Sequence, residues 1–229
     1  MRTGAEPAIE VQVEAEIDRQ LDVLVDKGYP ALAEMGEGAL RALAEPVRAA
    51  VLGAFAQAGR SSLDLSRVDR GHVPLLVVTR RDVVRAEQAM PLTALPGSTR
   101  TGVVDRNHAE GDLAGYLPID ALTVPTAAMY AVLDVERGEE FCDVRPRDAL
   151  RVVLGRGRTP LTIEEGVALV TQFPQVLAKN KCFMLSGSRR HDKRVPAMWI
   201  GQGAPKLGWC WDGNPHSWLG TASAGGRAG

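Results

Sequence analysis

The order of apolar and polar positions divides the chain into a helical start, a mixed middle and a strand-rich end. Over roughly 8–58, Ile9, Val13, Ile17, Leu21 and Leu24 recur at spacings of three and four, with Glu10, Glu14, Asp18 and Asp22 between them. That is the period of a helix that buries one face and solvates the other. Gly28 and Pro30 predict its end. The stretch 39–53 predicts another helix, bent or restarted at Pro46 and finished by Gly59.

From 72 the period shortens. HVPLLVVT at 72–79 and MYAVLDV at 129–135 are compact β-branched and aliphatic runs, as buried strands require. Between them, 82–90 predicts a short helix or turn. The Pro-, Gly- and Thr-rich segment 91–115 predicts a long loop. PRDALRVVL at 146–154 starts with proline at a favoured first helical position. Thr162 and Glu165 form a capping-box pattern ahead of a helix over 163–172. The last quarter predicts strands at 181–187, 194–200, 207–211 and 217–221, with the polar loop 188–193 joining the first two as a hairpin. Alternation places Trp209 and Trp211 on one face and Cys210 on the other. The Gly/Ala/Arg tail from about 223 is expected to fray. The resulting class is α+β: N-terminal helices, a mixed middle region and a small C-terminal antiparallel sheet. An acidic helical region occupies 1–60. Residues 61–229 form the α+β part with its sheet at 181–222, in one compact unit or two closely packed lobes.

Charge adds an asymmetry to this pattern. The formal net charge is only −1. Residues 1–150, however, hold 16 Lys and Arg against 24 Asp and Glu, a net of −8. Residues 151–229 hold 11 against 4, a net of +7. Such a split suggests an anionic partner for the C-terminal part, or an acidic surface docked on a basic one within the fold. No apolar run approaches the ~18 residues of a membrane span. The N-terminus turns acidic at once and has no apolar core of a secretory signal. Three widely spaced cysteines, Cys142, Cys182 and Cys210, fit a reducing cytoplasm better than a disulfide scaffold. No membrane partner is expected.

The segments GRTPLTIEEG (157–166), KNKCF (179–183), RVPAMWI (194–200) and PKLGWCWDGNPHSWLG (205–220) resemble an actinobacterial protein family of unknown function. The resemblance is dense from about 129 onward and thinner in the N-terminal helices. It implies a bacterial cytoplasmic protein and brings no activity, cofactor or site residue with it.

Four kinds of chemistry are open to the C-terminal residues. GQGAPKLG at 201–208 has glycines and a lysine without the order of a P-loop. Cys182, His191, Cys210 and His216 are zinc-ligand types without zinc-ligand spacing. Cys210 with His216, and Asp212 or Asp192 to orient the imidazole, would make an activated thiol if all three came within hydrogen-bond reach. The fourth, anion recognition, uses the most residues. Lys179, Lys181, Arg189, Arg190, Lys193 and Arg194 supply charge, and Trp199, Trp209, Trp211 and Trp218 supply flat rings. Cations for phosphate beside rings for bases suit a nucleic acid or a nucleotide-like anion. The leading expectation is therefore a binding protein for such a ligand, with no cofactor evident. The alternatives are a small cytoplasmic enzyme, such as one of secondary metabolism, and a protein-interaction module that uses the acidic helices.

Overall fold

The computed structural model describes residues 8–229. In chain order its helices are α1 (Ile9–Asp26), α2 (Tyr29–Leu32), α3 (Glu37–Ala42), α4 (Glu45–Gln57), α5 (Ala86–Ala89), α6 (Pro146–Gly155) and α7 (Ile163–Gln172). The strands are β1 (His72–Thr79), β2 (Val103–Val104), β3 (Leu117–Pro118), β4 (Met129–Glu136), β5 (Thr159–Pro160), β6 (Cys182–Met184), β7 (Ser188–Arg189), β8 (Arg194–Gly201), β9 (Ala204–Trp211), β10 (Leu219–Thr221), β11 (Ser223–Ala224) and β12 (Gly226–Ala228). The class is α+β, with helices leading and strands closing the chain.

The apolar stripe of α1 does what its spacing predicts: Val13, Ile17, Leu21 and Leu24 are buried. Gln20 on the same face has a second task. Its side-chain amide accepts from Val77 N at 2.7 Å and donates to Leu75 O at 2.9 Å. It thereby satisfies two backbone groups of β1 along an edge with no neighbouring strand. The other edge of β1 pairs antiparallel with β4 over their full length, from His72↔Glu136 to Thr79↔Met129.

The far side of β4 is filled by the end of the chain. β11 and β12 pair antiparallel with it, and β11 also pairs with β5. Between them Gly225 N reaches both Leu133 O and Asp134 O, while Asp134 takes a positive φ of 54°. This is a bulge that turns the ladder. The tail expected to fray is thus a strand of the central sheet. Its anchor is Arg227, whose guanidinium donates to both oxygens of the fully buried Glu165, at 2.6 and 2.8 Å.

The C-terminal sheet has the order β10-β6-β8-β9-β2. The predicted hairpin is present as β6 against β8, and β8 turns into β9 through Gln202 and Gly203, both at positive φ as a two-residue hairpin turn needs. The sheet is mixed where an antiparallel one was expected. β10 lies parallel to β6, and β2, from the presumed loop, lies parallel to β9. Gly138 and Gly220 let the two sheets approach. A side chain on Gly138 would overlap the backbone of Thr221, whose N–H bonds to Gly138 O at 3.2 Å. A third, two-stranded ladder joins β3 to β7 inside the presumed polar loop. One continuous apolar cluster runs from Val13 through Leu75, Val132 and Phe183 to Ala228.

Candidate functional site

The basic C-terminal residues are placed close together but mostly spent on the protein's own carboxylates. Arg189 donates to Asp212 at 2.8 Å. Arg190 donates to Asp112 at 2.5 Å, and Arg194 bonds both Asp192 at 2.8 Å and Asp112 at 3.0 Å. The Arg190 bond is the main reason the Asp112 carboxyl is pulled down to about 2. Lys181 sits 3.6 Å from Glu139. Lys179, His191 and Lys193 are exposed.

The four indoles do not form one platform. Trp209 and Trp211 share a face, as alternation predicts, and meet edge-to-face at 4.8 Å. Arg194 lies over Trp209, whose ring N–H bonds Asn107 O at 2.7 Å. Trp199 lies on the other face, over Gly208, and packs edge-on against Trp218 at 6.4 Å. Trp199 and Trp218 both pack on the core; Trp211 is the one large exposed ring, at 49 %.

The residues weighed as alternative catalytic or metal groups are not brought together. Cys210 faces the core, and burial alone pushes its thiol up to about 11, so it has no thiolate at neutral pH. His216 packs its ring on Trp218, and Asp212 is occupied by Arg189. Asp192 serves Arg194. No hydrogen bond joins Cys210, His216, Asp212 and Asp192 into a relay among the described residues. Likewise Cys182, His191, Cys210 and His216 do not converge: among the described residues no three His, Cys, Asp or Glu form a group able to hold a metal.

A different place has the shape of a site. β1 ends at Thr79, and Arg80 and Arg81 follow directly into a cavity of about 300 Å³. One wall is the strap 117–126, which contributes Leu117, Pro118, Leu122, Val124, Pro125 and Thr126. The other is Tyr130 of β4 with Thr162 and Glu164 at the start of α7. The strap is pinned at both ends. At one, β3 pairs with β7 and Ile119 N bonds Gly187 O at 3.0 Å; at the other, Arg80 Nη1 bonds Thr126 O at 2.6 Å. The capping box holds the opposite wall. Thr162 N donates to Glu165 Oε2 at 2.8 Å and Glu165 N to Thr162 Oγ1 at 3.3 Å. That leaves Glu164, the residue just before Glu165, to face the cavity and meet Arg81 at 2.7 Å. A smaller chamber of about 160 Å³ lies beyond, sharing Arg81 and Glu164 and adding Arg85, Ala86 and Leu113.

Apart from the capping box, none of this was legible as a site. Leu122, Val124, Pro118 and Pro125 in an otherwise polar connection were the available signal: apolar residues in a loop need something to cover, or be covered by.

Residues 23–229 match the model of a protein family described as a family of unknown function (DUF5701). The chain belongs to DUF5701. The match takes in every DUF5701 residue that lines the cleft, from Arg80 to Glu164. No curated protein and no solved structure matches this DUF5701 chain. Among its described residues no helix is long and apolar enough to cross a membrane.

Proposed function

We propose that the protein binds a small, largely apolar molecule in the cleft between the 117–126 strap and the start of α7. One observation carries this reading: a preformed cavity of about 300 Å³ with five aliphatic or proline walls and a few convergent polar groups. Small-molecule sites have this makeup. A wider groove along 101–113, about 580 Å³, is more open, and two of its carboxylates are already engaged, Asp105 by Lys206 and Asp112 by Arg190.

The reading that places an anion on the C-terminal sheet keeps the exposed Lys179 and Lys193 and the exposed Trp211 beside the Arg194–Trp209 stack. What weighs against it is the pairing of Arg189, Arg190 and Arg194 with carboxylates, which leaves little charge to release counterions from a polyanion.

The test is a fragment screen by ligand-observed NMR on the wild type and on Val124→Trp, which fills the cleft from the strap. Hits that disappear in the variant are expected. Hits that survive it, or a single-stranded oligonucleotide that binds with a steep salt dependence while no fragment does, would move the site elsewhere.

A further inference from the structure

The cleft's two arginines keep donors that the protein does not use, and those donors name a ligand class. Its lining holds two guanidinium groups, Arg80 and Arg81, against one carboxylate, Glu164. The neighbouring Asp82 pairs with Arg80 at 3.3 Å but is 62 % exposed and forms no part of the wall. Nor are the arginines' donors used up. Arg81 spends Nη2 on Tyr116 O, at 2.8 Å, and on Glu164. Arg80 spends Nη1 on Thr126 O. Among the described residues, Nε and Nη1 of Arg81 and Nη2 of Arg80 make no hydrogen bond to the protein. Both side chains are about one-third exposed, 30 % and 31 %, so neither is sealed in.

The surrounding bonds act as a fixture. An arginine tied at one nitrogen to a backbone carbonyl is held in place, and its remaining donors point in a set direction. Arg81 is tied to the segment before β3 and to the start of α7, and Arg80 to the far end of the strap. The two therefore sit where the apolar strap meets the polar rim, with donors left over.

We infer that the ligand is a monocarboxylic acid with an apolar body. Its carboxylate accepts from the free donors of Arg80 and Arg81, and its body lies against Leu122, Val124 and Pro125. This rests on the reading that the cleft is the binding site. A carboxylate matches the planar fork of a guanidinium and makes charge-assisted bonds to its free donors. A neutral head group makes only the weaker, uncharged bonds to the same donors, and a dianion brings a second charge beside Glu164 and Asp82. Glu164 sets the limit: it already draws on Arg81, so the incoming carboxylate competes with it for the same guanidinium.

The experiment uses a fragment set built in pairs, each arylalkanoic acid beside its primary amide, titrated into the full chain at neutral pH. Acids are expected to bind roughly tenfold or more tightly than their amides, the order expected for one charge-assisted contact. Arg80→Gln should lower the acid-to-amide ratio several-fold, the acid losing more than the amide loses from unpinning the strap at Thr126. Glu164→Gln should raise the acid-to-amide ratio several-fold, since the charged competitor for Arg81 is gone. Acids and amides that bind equally, with both losing affinity in Val124→Trp, would overturn the carboxylate and keep the cleft. Pairs of which neither member binds would overturn both.

Discussion

Asp112 shows what one side chain can decide. It accepts from Arg190 and Arg194, two residues that a sequence reading assigns to an external anion. The Arg190 bond, first among the causes, holds its carboxyl at about 2 against an ordinary 3.8. A carboxyl held low in the folded state adds stability that is present above its ordinary value and is lost as pH falls through the folded one. Urea midpoints measured from about pH 4 down to about pH 2 should therefore fall more steeply in the wild type than in Asp112→Asn. Parallel curves would mean that the cluster does not couple to folding. Cys210 shows the limit at this scale. Alternation correctly turns it away from Trp209 and Trp211, but only the fold reveals that the other side is core.

At the level of elements, legibility followed locality. The helix at 163–172 and its Thr162–Glu165 cap were readable because every partner lies within four residues. The strand at 226–228 was not, because Gly, Arg and Ala carry no strand signal of their own. Their conformation comes from β4, almost a hundred residues earlier in the chain, and from Glu165. The same holds for β2 and β3, two-residue strands inside segments rich in turn residues. Arg227 offers the direct check on the tail. Its removal leaves the carboxylate of Glu165, 0 % exposed, with Tyr130 and a backbone N–H but no cation. Arg227→Ala should cost about 3–5 kcal/mol in urea unfolding, as breaking one side of a buried pair does. Arg227→Ala with Glu165→Gln should cost less than the single change. A loss below about 0.5 kcal/mol would place the tail at the surface after all.

Over the whole molecule the charge split resolves within the fold. The excess cations of 151–229 meet carboxylates of 105–140: Arg156 with Glu140, Arg158 with Asp134 and Glu136, Lys181 with Glu139, Arg190 and Arg194 with Asp112, Lys206 with Asp105. The acidic N-terminal helices are not the partners. Glu14 and Asp18 of α1 face Arg48 of α4, and Asp22 faces Arg41 of α3. Of the two explanations the sequence allowed for its asymmetry, the internal one therefore accounts for most of the charge. Arg80 and Arg81 remain with donors to offer, beside a largely apolar cleft walled by a pinned strap. The most direct measurement is chemical-shift mapping of the acid fragments on the isotope-labelled full chain. The account predicts shifts concentrated at Arg80, Arg81, 117–126, Tyr130 and Glu164. Shifts centred instead on Trp211, Lys193 and Arg194, with the cleft unmoved, would contradict it.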